Sequence, residues 1–143
     1  MKKANQEIAL KVGDQAPVFS VPSIKGKIVL NQLLEQGPVV LALYPKDFTP
    51  GWSIEMKAFQ SDIYDFEKLD AQVLGVSADT LQIHHEFAAE LDLSFPLLAD
   101  DGSISTQYGS GRVTYLLDRT SVIRMICVRM PDNANLAGEI GKL

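Results

Sequence analysis

Three places in the 143-residue chain hold side chains able to do chemistry. They are a lone cysteine, Cys127; the proline-flanked junction Tyr44-Pro45-Lys46-Asp47-Phe48-Thr49-Pro50-Gly51-Trp52; and the polar triplet His84-His85-Glu86. One thiol cannot form an intramolecular disulfide, a CxxC redox pair, a cysteine-rich zinc site or an iron–sulfur cluster. Thiol chemistry runs through Cys127 or is absent. That residue falls in Val122-Ile123-Arg124-Met125-Ile126-Cys127-Val128, a strand pattern at the far end of the chain. A lone cysteine among apolar neighbours is ordinarily a small buried hydrophobe with a raised pKa. The junction leaves an apolar run and enters a helical pattern, and free backbone N–H groups at a helix start favour an anion or a thiolate. Every βα unit shares that feature, so a capped helix start without function reads equally well. His84 and His85 project about 100° apart on a helix, and the HExxH spacing is absent, so the triplet reads as structural. Gly109-Ser110-Gly111 lacks the glycines of a dinucleotide fingerprint, and Asp100-Asp101-Gly102 reads as a turn. No cofactor and no metal is expected.

The elements that must position the junction are legible around it. Val39-Val40-Leu41-Ala42-Leu43-Tyr44 is a continuous apolar run, as expected of a central strand covered on both faces, and Pro45 ends it. Thr49 suits the N-cap and Pro50 the first helical position. Met56, Phe59, Ile63 and Phe66 then share one helical face. A strand over Gln72–Ser77 follows, then a second helix carrying Ile83, Phe87, Ala88 and Leu91 behind the cap Asp79. Two βα units in succession predict a parallel pair with a right-handed crossover. Upstream, Val18–Val21 and Lys27–Leu30 flank the turn Ile24-Lys25-Gly26 and predict an N-terminal β-hairpin. Downstream, Phe95–Leu98 is a short apolar piece, Val113–Leu117 and Val122–Val128 form an antiparallel hairpin across Asp118–Ser121, and Asn133–Leu143 is a short helix. The expectation is an α/β fold, with a mixed central sheet and helices on both faces. A polar segment, 1–11, precedes a single domain, 12–143.

Composition narrows the partners. With 46% hydrophobic and 22% charged residues the chain has an ordinary globular make-up, and 13 Lys+Arg against 18 Asp+Glu leave a net charge of −5. No cationic excess exists to hold nucleic acid or an anionic membrane. The longest apolar run is too short to span a bilayer. Met1-Lys2-Lys3 is followed by Ala4-Asn5-Gln6-Glu7 rather than the apolar core of an export signal, so a cytoplasmic location is expected.

Pro45, Thr49 and position 52 have the spacing of the peroxiredoxin signature P-x-x-x-T-x-x-C, and Tyr44–Gly51 resembles the bacterioferritin-comigratory, or Q-type, branch of that family. Val12-Gly13-Asp14-x-Ala16-Pro17-x-Phe19 resembles the family's opening. Val73-Leu74-Gly75-Val76-Ser77-x-Asp79, Phe95-Pro96-Leu97-Leu98-x-Asp100 and Arg112-Val113-Thr114-Tyr115-Leu116-Leu117-Asp118 are similar to later segments, in order. The resemblance implies a thioredoxin-like fold. It also implies a thiolate in the first helical turn that attacks peroxide, stabilised by the helix N-terminus and an arginine. A threonine hydroxyl and backbone N–H groups orient the peroxide, and a proline shields it. On this resemblance Pro45, Thr49 and Arg112 occupy family positions, Glu55 occupies an acidic position able to pair with the arginine, and one of His84 and His85 matches a histidine common in the branch. A hydroperoxide substrate and a thioredoxin-type reductant are implied in the same way.

Position 52 departs from the signature, because it is Trp. Indole offers one N–H donor and is not a two-electron nucleophile toward peroxide. The resolving-cysteine position five residues on holds Lys57, Ser53 also departs, and the connection Tyr108–Arg112 is shorter than the family's. The family places no catalytic group at Cys127. The expectation is therefore a homologue without peroxidase activity that keeps a binding or regulatory role, as a monomer or weak homodimer. Trp52 offers a large contact of low conformational entropy to a protein partner, or else fills the vacated pocket. The alternative is an active thiol peroxidase, either because Cys127 substitutes or because position 52 has been altered from cysteine.

Overall fold

The computed structural model describes residues 10–109 and 111–143. Along them run β1 (Ser20–Ser23), β2 (Gly26–Val29), α1 (Leu30–Leu34), β3 (Val39–Leu43), α2 (Pro50–Ser61), α3 (Ile63–Glu67) and β4 (Gln72–Ser77). There follow α4 (Leu81–Leu91), β5 (Leu97–Ala99), α5 (Ser105–Tyr108), β6 (Val113–Leu117), β7 (Ile123–Cys127) and α6 (Asn133–Ile140). The strands form one sheet in the order β2-β1-β5-β4-β3-β6-β7. β3 runs parallel to β4, and β4 to β5, whereas β6 is antiparallel to both β3 and β7. This is the mixed sheet expected from the alternation of apolar runs and helical patterns.

β3 explains where the core lies. All five of its residues are buried, and because successive side chains point to opposite faces they feed two layers. Val39, Leu41 and Leu43 pack with Leu30 and Leu34 of α1 and with Tyr108 of α5. Val40 and Ala42 pack with Met56, Phe59, Phe66, Phe87, Leu136 and Ile140 of α2, α3, α4 and α6. Helices therefore cover both faces.

Several expected boundaries shift for local reasons. The N-terminal hairpin slides by two residues at β1 and by one at β2, because Gly26 (φ 98°) and Ser23 close the turn. The Ser23 hydroxyl donates to Gly26 O and accepts from Lys25 N. Leu30 consequently leaves the strand and starts α1, whose two buried leucines were not separable from a strand end by pattern alone. The helix expected across Met56–Phe66 breaks at Asp62 (φ −102°, ψ 11°), which Asn133 Nδ2 meets at 3.0 Å. Met56, Phe59 and Phe66 remain on one buried face across the break. Thr80, not Asp79, caps α4, accepting from Ile83 N at 3.2 Å. The last helix ends at Ile140 rather than running to residue 143.

The beginning of the described chain is bound to the last strand. Gly13 N donates to Ile123 O at 2.8 Å, Ile123 N to Asp14 O at 2.9 Å, and Ala16 N to Ser121 O at 2.7 Å. Of the expected polar segment 1–11, residues 1–9 lie outside the described residues. Among those described, no helix is long and apolar enough to cross a membrane.

Candidate active site at the start of α2

The chain leaves the carboxyl end of β3 at Tyr44 and crosses Pro45–Thr49 to enter α2. Thr49 takes the N-cap position in an extended conformation (φ −94°, ψ 141°), and Pro50 opens the helix as the sequence predicts. The Thr49 hydroxyl does not cap, however; it donates to Lys46 O at 3.0 Å. No side chain caps α2, so its first-turn N–H groups keep the partial positive charge of a helix start.

Trp52 stands in that first turn, half-buried, packed against the core layer of α2–α4 and α6. β6 begins opposite the end of β3, with Leu43 paired to Val113, so the preceding Arg112 comes to the same end of the sheet. The Arg112 guanidinium carbon lies 4.5 Å from the centroid of the Trp52 ring, within cation–π range. Its Nε donates to Glu55 Oε1 at 2.8 Å. The pairing expected of Glu55 with the arginine is thus present, and both groups meet Trp52.

Glu55 is 1% exposed, and its Oε2 is buried without a hydrogen-bond partner among the described residues. Burial pushes its carboxyl up from the ordinary value, opposed in part by the hydrogen bond and charge of Arg112. Cys127 also belongs to this end of the molecule. It pairs with Thr114 across β6 and β7, only two residues past Arg112 on the neighbouring strand, so its distance along the chain misleads. The sulfur is half-buried rather than fully buried, and burial followed by the Glu55 charge pushes the thiol up. Such a thiol is a weak nucleophile at neutral pH.

A second polar cluster lies beneath the loop; the sequence singled out its residues separately, with no sign that they meet. His84 is fully buried, with Nδ1 at 2.6 Å from Asp47 Oδ2 and Nε2 at 2.9 Å from Leu98 O. The Tyr44 hydroxyl donates to Asp47 Oδ1 at 2.5 Å. Burial and then the Asp47 charge raise that phenol far above its usual value. Asp79, expected as a helix cap, instead accepts from Asp47 N at 2.8 Å and from Ser77 Oγ at 2.6 Å. Ligand atoms of Asp47, Asp79 and His84 lie within 4.8 Å of one another. Yet the 2.6 Å contact is a hydrogen-bond distance, shorter than two donors keep when each sits about 2 Å from one tetrahedral or octahedral ion. The structural reading of His84 fits better. Asp100, read as a turn residue, accepts from the N–H groups of Gly102, Ile104 and Ser105.

A helix that starts at the carboxyl end of the central strand of a mixed sheet, with helices on both faces, is the layout of a thioredoxin-like protein. Solved structures share it. Peroxidoxin BcpB from Mycobacterium tuberculosis superposes with a TM-score of 0.84 at 27% identity, over 93% of this chain and 97% of that one. A cysteine-to-serine mutant of Xylella fastidiosa PrxQ superposes with a TM-score of 0.84 at 27% identity, over 95% and 98%. The profile of the AhpC/TSA family matches residues 12–126, and the chain belongs to that family. Among its relatives, the putative peroxiredoxin bcp of Coxiella burnetii is 30% identical over 95% of this chain and 100% of its own. The putative peroxiredoxin bcp of Helicobacter pylori is 38% identical over 80% and 78%.

Proposed function

We propose that this chain is a peroxiredoxin homologue that has lost thiol peroxidase activity and uses the entrance of α2 for binding or regulation. The observation that carries this reading is Trp52 stacked on Arg112 in the first turn of α2, where the signature calls for cysteine. In a peroxidatic site the thiolate displaces one oxygen of the peroxide, becoming a sulfenic acid and releasing water or an alcohol. An indole performs no such displacement, and here it shares the arginine with Glu55. Pro45, Thr49, Arg112 and Glu55 are then the remains of the machinery. Trp52, partly exposed and held by a cation, is the anchor for a protein partner. The unit concerned is the single domain 12–143, as a monomer or weak homodimer. A cytoplasmic setting suits a chain with one cysteine.

Cys127 supports a second reading by standing at the same end of the sheet. Its raised thiol weighs against it. Stopped-flow mixing with hydrogen peroxide separates the two. The chain is expected to form no sulfenic acid on the timescale of seconds, whereas Trp52→Cys gains reactivity if Pro45, Thr49 and Arg112 still form a working site. Rapid sulfenic acid formation in the unaltered chain, abolished by Cys127→Ser, overturns the first reading.

A further inference from the structure

The loop that delivers α2 has little burial of its own: Pro45, Lys46 and Phe48 are exposed. It nevertheless holds Phe48 at φ 66°, a left-handed conformation that a bulky side chain rarely adopts. Something must impose that shape, and the groups available are those beneath it. Asp47 and His84 have fully buried side chains and meet at 2.6 Å across 37 residues of sequence. Their hydrogens can be counted. Leu98 O only accepts, so His84 Nε2, 2.9 Å away, carries a hydrogen. The Nδ1–Asp47 contact needs a second. Asp47 Oδ1 meanwhile accepts the Tyr44 hydroxyl, so both carboxyl oxygens are engaged. Both ring nitrogens of His84 are thus engaged, one by β5 and the other by the loop.

We infer that His84 is a positioning residue for the α2 entrance: paired with Asp47, it fastens residues 45–49 to α4 and β5 and thereby sets the conformation from which Trp52 is presented. α4 holds the loop at two points. His84 takes Asp47 from below, and one turn further Phe87 meets the Phe48 ring edge-on, with centroids 5.1 Å apart. Asp79 takes the Asp47 amide, completing the fastening from the end of β4. This role is independent of whether the entrance binds a partner or reduces a peroxide.

The chain has two histidines, so the ring-nitrogen NMR spectrum of 15N-histidine-labelled protein is simple, and the exposed His85 is an internal control. The hydrogen shared by His84 Nδ1 and Asp47 Oδ2 across 2.6 Å is expected far downfield. Asp47→Asn keeps the shape and a hydrogen bond to Nδ1, so the loop is expected to stay closed while the downfield hydrogen is lost. His84→Ala opens the loop. Hydrogen exchange at the Asp47 amide is expected to accelerate roughly tenfold or more, with the amides of β3 and β4 unchanged. The absence of a downfield ring hydrogen on His84 in the unaltered protein overturns the inference, as does an unchanged Asp47 amide in folded His84→Ala.

Discussion

Replacing Arg112 by methionine tests the energetic reading of the site most directly. The substitution keeps an apolar stem beside Trp52 but removes the donor at 2.8 Å from Glu55 Oε1, leaving a carboxylate that is 1% exposed and already has one unpartnered oxygen. Breaking a buried pair from one side costs about 3–5 kcal/mol. The Arg112 side chain is 26% exposed, so water screens part of the interaction and the lower end applies. Loss of the cation–π contact adds about 0.5–1 kcal/mol, for a total of about 3.5–4 kcal/mol, or a Tm lower by about 12 °C. The sign with pH follows from Glu55. Burial raises its folded value, so its contribution to stability is fully present below the unfolded carboxyl value and is lost as pH rises through the folded one. Removing Arg112 takes away the two effects that lower that value, so the deficit of Arg112→Met is expected to be small near pH 4 and full at pH 7. Urea unfolding at both pH values measures it, and Glu55→Gln in the same background should recover at least half at pH 7. A deficit under about 1 kcal/mol, equal at both pH values, would show that the pair behaves like a surface ion pair and refute the reasoning.

Other perturbations separate packing from chemistry. A Cβ on Gly37 would lie 1.9 Å from the backbone oxygen of Asp70, whereas one on Gly75 would lie 2.7 Å from Leu97 Cδ2, the end of a flexible side chain. Gly37→Ala should therefore be the more destabilising, with Gly75→Ala costing about 1–3 kcal/mol in urea unfolding. Phe59→Ala, which empties a fully buried position touching the rings of Phe66 and Phe95, should cost about 3–5 kcal/mol by calorimetry. Cys127 should react with iodoacetamide at pH 8 more slowly than free cysteine. Burial is the larger cause of the raised thiol and stays, but Glu55→Gln should speed that reaction by removing the charge that adds to it.

Much of the scaffold could be read from the chain because its signals are local. The run Val39–Tyr44, the Thr49-Pro50 helix start and the hairpin across Asp118–Ser121 each fix their geometry within a few residues. The family segments likewise brought Arg112 and Glu55 together on paper before the sheet did so in space. What escaped was either very short or very long in range. α1 and α5 span five and four residues, less than the two turns a helical period needs to show itself. The pairing of Asp47 with His84 joins a loop to a helix 37 residues away, so His84 alone gave no hint of its partner. Cys127 looked remote because sequence distance was taken for spatial distance, and an antiparallel neighbour reverses that relation.

The lashing of residues 13–16 to residues 121–123 has a consequence for how the protein is made. On the ribosome the first of these segments emerges some hundred residues before the second. At about 5–20 residues per second the early segment waits on the order of ten seconds without its partner. β3 and β4 can pair in the meantime, but β6 and β7 are not yet there to cover the other side of β3. Through that interval the nascent chain carries an open sheet edge beside an apolar strand, the kind of surface that recruits chaperones or another unfinished copy. The arrival of β6 and β7 therefore decides when this vulnerability ends, and a product stalled or truncated before them is a stronger aggregation hazard than a point mutant of the finished fold.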